Sequence, residues 1–204
     1  HIGTGNYNSN TSRFYTDIGL LSTDPDISSD LIELFNYLSG FSKQKSFQKL
    51  LVSPTSLRKK FIFLINREIE NAKKGIKSEI IAKMNSLVDP EIIQLLYLAS
   101  QKGVKINLIV RGICCLYPQK KNLSENINVT SIIGPFLEHS RIFWFYNNNN
   151  SEVFIGSADW MRRNLDRRIE AVTPIEDSDL KFQLYSLLQI YINDNYYSWV
   201  MNKD

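Results

Sequence analysis

FLEHSRIFWFYNNNNSEVFIGSADWMRRNLDRRIE, residues Phe136–Glu170, holds one of the two histidines of the 204-residue chain, five arginines and a Gly-Ser-Ala-Asp turn. All of them surround two very apolar runs. Ile142–Tyr146 is aromatic and β-branched without interruption, the pattern of a strand buried on both faces. The four asparagines Asn147–Asn150 predict a turn, and Glu152–Ile155 a second strand of the same kind. A hairpin closed over the asparagines pairs residues whose numbers sum to roughly 297. Gly156 and Ser157 then return beside Arg141 and Ser140. Side chains alternate along a strand, so His139 and Arg141 project from one face at the strand entrance. Gly156 would let backbone approach a ligand, Arg141 would offer phosphate oxygens a fork of donors, and His139 adds a titratable imidazole. The corner therefore reads as an oxyanion or phosphate site, with Ser157 and Asn164 in its neighbourhood.

Working outward, Asp89-Pro90-Glu91 supplies a cap, a first-turn proline and an acidic first turn for a helix ending at Gly103, with Ile92, Leu95, Leu96 and Ala99 inward. Ile80–Met84 before it and the largely apolar Val104–Val110 after it predict strands, making a parallel strand–helix–strand unit. Lys83 and Asn85 fall at the carboxyl end of the first strand, and Arg111 follows the second. Ligands collect beyond the carboxyl ends of parallel strands, so these three join His139 as candidates around one cleft. Upstream, LLVS (50–53) predicts a short strand and Ser53-Pro54 the start of a helix ending at Gly75, with Leu57, Phe61, Leu64, Ile65 and Ile69 on its apolar face. Ser28 or Ser29 would cap an earlier helix, its stripe of Leu31, Leu34, Phe35 and Leu38 stopping at Gly40. Residues 41–49 form a polar, basic linker, and a domain boundary is expected near Leu50. Downstream, Ile169–Pro174 predicts a last strand and Asp177–Ile192 a closing helix with Leu180, Leu184, Leu187, Leu188 and Tyr191 inward. The polar-aromatic tail is expected to fray or to contact regions outside this chain.

Composition is that of a globular protein, 43% hydrophobic and 22% charged, and the net charge of +3 is compatible with a polyanionic ligand. Without an aromatic-basic stripe, nucleic acid is not an expected partner. Cys114 and Cys115 are neighbours, which suits free thiols in a reducing compartment, and no zinc spacing exists. No apolar run reaches membrane-spanning length.

The blocks FLEHSRIFWF, SADWMRRNLDRRIE, IIAKMNSLVDPEII, LIVRGICCL and the opening HIGTGNYN with FYTDIGLL resemble polyphosphate kinase, in family order, from His1 to about Asn193. The resemblance implies an α/β fold: a phospholipase-D-like mixed sheet flanked by helices over residues 50–204, preceded by the tail of a first catalytic domain over 1–49. His139-x-Arg141 followed by Gly156-Ser-Ala-Asp is similar to that superfamily's H-x-K…G-S motif. The phosphodiesterase pattern has Asp five residues after the Lys, where this chain has Tyr146, which counts against a phospholipase or nuclease.

What the resemblance implies for function is reversible transfer of the ATP γ-phosphate to inorganic polyphosphate through a phosphohistidine. That histidine belongs to a Lys-Thr-His context upstream of the HIGTGN block, so this chain is expected to be a fragment without it, inactive alone. By matching position, Tyr15 and Arg111 inherit ATP-phosphate contacts and His139 a phosphate-binding, catalytic role. Lys83, Asn85, Arg141, Ser157 and Asn164 follow from motif membership and geometry. Expected with them are ATP or ADP, the rest of the kinase chain, a homo-oligomer in the intact enzyme, magnesium without identifiable ligands here, and a cytoplasmic location, with the periphery of the inner membrane as the alternative. Two other readings stay open: a phosphodiesterase using His139 as nucleophile with a partner subunit, and a non-catalytic polyanion-binding module.

Overall fold

The computed structural model describes residues 1–41 and 46–202. Its centre is an eight-stranded mixed sheet. Along the chain the elements are β1 (Ile2–Gly3), β2 (Tyr15–Thr16), β3 (Gly19–Leu20), α1 (Pro25–Leu38), β4 (Leu51–Ser53), α2 (Leu57–Lys73), β5 (Glu79–Met84), α3 (Pro90–Gln101), β6 (Lys105–Val110), β7 (Ile127–Ile132), β8 (Leu137–Glu138), β9 (Ile142–Phe145), β10 (Glu152–Gly156), α4 (Arg162–Asp166), β11 (Glu170–Ile175), α5 (Ser178–Asn193) and β12 (Ser198–Val200). The large sheet runs β12-β7-β6-β5-β9-β10-β11-β4. β5, β6 and β7 are mutually parallel, and the other pairings are antiparallel. The α/β mixed sheet with flanking helices is thus as expected.

Alternation sorts the side chains onto two faces. Ile80, Ala82, Leu108, Val110, Phe143 and Phe145 face α2 and α3, whose Phe61, Leu64, Ile65, Ile92 and Leu96 are fully covered. Ile81, Ile109, Ile142, Trp144 and Ile155 face α5, which buries Leu184 and Leu188. Both faces of the central strands are covered, which is why β9 reads as an unbroken apolar run and β5 and β6 are apolar at most positions.

The β9–β10 hairpin has the expected register: Glu152 opposes Phe145 and Ile155 opposes Ile142. It closes through Asn147, Asn148 and Asn149, all at positive φ, a conformation asparagine tolerates better than most residues. α3 starts where expected, with the Asp89 carboxylate accepting from the Ile92 amide. Arg58 of α2 then locks three elements together, bonding Asp89 at 2.6 Å, Glu91 at 2.7 Å and Asp166 of α4 at 2.5 Å.

Several expectations are corrected. α1 begins at Pro25 with Asp24 as its cap, the same Asp-Pro device as at α3, and not at Ser28 or Ser29. Its Phe35 and Leu38 are exposed; Ile27 and Leu34 carry the packing, against Ile2, Leu50 and Val52. α2 begins at Leu57, beyond Ser53-Pro54. β7 went unpredicted because Asn128, Thr130 and Ser131 dilute its apolar content. Within the tail, Ser198–Val200 form β12, which pairs antiparallel with β7, Ser198 opposite Ile132. Part of the expected 41–49 linker lies outside the described residues. What is described of it ends in a clamp, the buried Asp30 carboxylate accepting the amides of Gln48, Lys49 and Leu50 at 2.7–2.8 Å.

Candidate phosphate site

At the carboxyl ends of β5 and β6 the sheet opens into a cleft of about 310 Å³ lined by Thr4, Asn85, Arg111, His139, Arg141 and Ser157, among other polar groups. β5 ends at Met84, so the next residue, Asn85, stands at the rim. Its amide donates to Asp159 Oδ1 at 2.8 Å and its Nδ2 to the His139 carbonyl at 3.2 Å. Asn85 Oδ1 accepts from Arg111 Nε at 2.8 Å, which aims that guanidinium along the rim.

His139 is fixed from the other end of the chain. β2 pairs in parallel with β8, and the His139 amide continues the ladder to the Thr16 carbonyl at 3.1 Å. That brings the Asp17 carboxylate to 3.0 and 3.1 Å from His139 Nδ1. Nδ1 therefore carries the proton, and Nε2 is the nitrogen left for a ligand. Thr4 Oγ1 also donates to Asp17, at 2.7 Å. Burial pushes the Asp17 carboxyl upward, but the hydrogen bonds from His139 and Thr4 and the nearby charges of His139 and Arg141 outweigh it and hold the group below its usual value of 3.8. Tyr15 packs on the imidazole, ring centroids 4.7 Å apart. It lines the neighbouring cavity with Asp17 and Gly5, not the cleft itself.

Arg141 does share the His139 face, but its fork is already engaged. Nε and Nη2 grip Asp159 at 3.1 and 3.2 Å, and Nη1 donates to the carbonyls of Thr4 and His139 at 2.9 and 3.2 Å. Nη1 also lies 3.3 and 3.1 Å from the two imidazole nitrogens, a position over the ring face, since an in-plane atom so placed would collide with Cε1. Arg141 thus builds the cleft more than it offers donors to it. Across the cleft, Ser157 Oγ donates to Glu170 at 2.5 Å, and Asn164 Nδ2 donates to the same carboxylate. Asn164, 3% exposed, keeps Oδ1 without a partner among the described residues.

Two sequence expectations fail here. The close approach that requires Gly156 is to strand β11, not to a ligand: a Cβ would meet Ala171 O at 2.4 Å and Val172 Cα at 2.6 Å, and the Ser157 amide is spent on the Ala171 carbonyl. Lys83 does not enter the cleft. Strand alternation puts it on the Ile81 face, under α5.

Sequence reasoning also missed residues. Arg163 and Arg168 line the cleft and, like Arg111, have no carboxylate partner among the described residues. They are two of the four arginines of RRNLDRR (162–168), whose spacing alone does not tell them from Arg162, which reaches Asp166. Asp159 and Glu170, the carboxylates that organise the cleft, carried no sequence signal beyond membership of the motif blocks. Three unpaired arginines against carboxylates that already have partners make the cleft a host for an anion. No cluster of three His, Cys, Asp or Glu among the described residues could hold a metal ion. Asp17, Asp159 and Glu170 are each taken by donors of the chain, so these residues do not fit a resident magnesium site.

Among the described residues no helix is long and apolar enough to cross a membrane. The family model for polyphosphate kinase C-terminal domain 2 matches residues 50–204, and that for C-terminal domain 1 matches residues 1–44. Over all 204 residues the chain is 66% identical to the polyphosphate kinase of Prochlorococcus marinus (strain MIT 9313) and 48% identical to that of Dictyostelium discoideum, spanning 29% and 19% of their lengths. The crystal structure of polyphosphate kinase from Porphyromonas gingivalis superposes with a TM-score of 0.95 at 43% identity, over 98% of this chain and 31% of that one. Nuc from Salmonella typhimurium, a phospholipase D family member, covers 76% of this chain and 97% of its own at a TM-score of 0.53 and 16% identity, a likeness of fold. The chain spans less than a third of the length of the curated relatives it matches, and it belongs to the polyphosphate kinase family, as part of the C-terminal region.

Proposed function

We propose that this chain supplies the phosphate-binding cleft of a polyphosphate kinase, which moves the terminal phosphate of ATP to and from polyphosphate through a phosphohistidine carried outside this chain. The observation that carries the proposal is the meeting of a carboxylate-backed imidazole with three unpaired arginines in one polar cleft. Phosphoryl transfer has a loose transition state with charge on the equatorial oxygens, so the task is placement and neutralisation. Arg111, aimed by Asn85, and Arg163 and Arg168 would neutralise successive phosphates. His139 would meet the transferring phosphate through Nε2 as the imidazolium, or hand that proton to the departing oxygen, with Asp17 stabilising the charge on the ring. Tyr15 would hold the ring plane. Magnesium would arrive on the nucleotide phosphates, and no step here depends on it. A cytoplasmic, homo-oligomeric enzyme accompanies this reading. Tyr146, at the hairpin end of the sheet away from His139, offers nothing to a phosphodiesterase.

In the full-length enzyme, Arg111→Ala and His139→Ala should each lower ATP-dependent polyphosphate synthesis by about a hundredfold or more, with Lys181→Ala as a surface control. Synthesis at the control's rate in both variants would overturn the proposal.

A further inference from the structure

Lys83 is 2% exposed, a lysine on the sheet face that carries Ile81, Ile109 and Ile142. Burying an ammonium is costly unless every donor is met. Here all three are. Nζ donates to Ser140 Oγ at 2.9 Å and to the Ser140 carbonyl at 3.2 Å, and it pairs with Glu138 Oε2 at 3.3 Å. An ammonium has three N–H groups, and these are three acceptors. The Tyr191 hydroxyl of α5 donates to the same Glu138 oxygen at 2.7 Å, and Nζ lies 4.9 Å from the Tyr191 ring centroid. Glu138 and Ser140 are the two chain neighbours of His139. Lys83 therefore grips the segment on both sides of the imidazole without touching the cleft.

We propose that Lys83 is a positioning residue for His139, a buried clamp that holds residues 138–140 in place, so that the ring keeps Nδ1 on Asp17 and Nε2 toward the cleft, and that links α5 to the site through Tyr191. The charged and titratable groups around the ammonium are Glu138, Asp17, Arg141 and Tyr191. Burial, only partly offset by Glu138 and Asp17, pushes the Lys83 ammonium down to about 8, which is the cost the clamp carries. A residue that merely filled space could be methionine, of similar length and without that cost. The functional consequence rests on the reading of His139 as a phosphate ligand; the geometric one does not.

The chain has two histidines, His1 and His139, so the His139 ring signals can be assigned by difference from a His1→Gln variant. In Lys83→Met with a cooperative thermal transition, the His139 ring proton signals should move or broaden in the ligand-free chain, and affinity for short polyphosphate should fall about tenfold. Tyr191→Phe should act in the same direction, less strongly. Unchanged His139 signals in a folded Lys83→Met, or in Tyr191→Phe should Lys83→Met not fold, would overturn the clamp, because a purely structural lysine lowers Tm and leaves the ring alone. Ring signals that move in a chain that binds no polyphosphate would uphold the clamp and remove the phosphate reading instead.

Discussion

His139 keeps one ring nitrogen for the cleft because Asp17 takes the other, and Asp17 can do so because Thr4 and the β2–β8 ladder hold it there. Its lowered pKa has a consequence for acid stability. A carboxyl whose folded pKa lies below its unfolded value stabilises the fold above the unfolded value, near 3.8, and that contribution is lost as pH falls through the folded value. Melting curves of the wild type and Asp17→Asn should therefore be separated, wild type higher, above about pH 4, and should converge below it. Curves separated equally at every pH would show that the pair is not formed as described. At this scale the sequence was half legible. That His139 and Arg141 share a face follows from strand alternation, and so, applied one step further, does the exclusion of Lys83. The partners were not legible: Asp17 lies 122 residues from His139, and only the folded chain brings them together.

The hairpin β9–β10 is the element on which the site is mounted, and its register followed from the asparagine run alone, because three left-handed asparagines close it at a defined length. The same hairpin explains Gly156. It pairs with Val172 of β11, and a methyl group there would strike backbone that belongs to a paired strand and cannot retreat. Gly156→Ala should cost about 3 kcal/mol, seen as a lower Tm and a lower denaturant midpoint with an unchanged slope; an unchanged midpoint would refute the packing. α3, with a strong period behind its Asp-Pro start, and β6, with its apolar run from Leu108 to Val110, were legible. β7 and β12 were not, because a strand with several polar residues becomes visible only through its neighbours, and α1 was shifted because a serine cap was preferred to the Asp24-Pro25 pair.

Across the whole molecule, the cleft stands where the two regions matched by separate family models meet. Thr4 and Asp17 come from residues 1–44; Asn85, Arg111, His139 and Arg141 come from residues 50–204. The Thr4 carbonyl on Arg141, the Asp17 carboxylate on His139 and the packing of Ile2, Ile27 and Leu34 against Leu50 and Val52 bind the two regions into one site. The boundary expected near Leu50 therefore separates residues that supply one cleft, and composition gave no hint that both sides contribute to it. The measurement that tests the central claim most directly is calorimetric titration of this chain with short polyphosphate, ATP as competitor, repeated for Arg111→Ala and His139→Ala. The cleft as described predicts binding that ATP displaces and that each substitution weakens by about tenfold, more than the loss of one surface charge at Lys181→Ala. Binding that ignores both residues, or no binding at all, would contradict it.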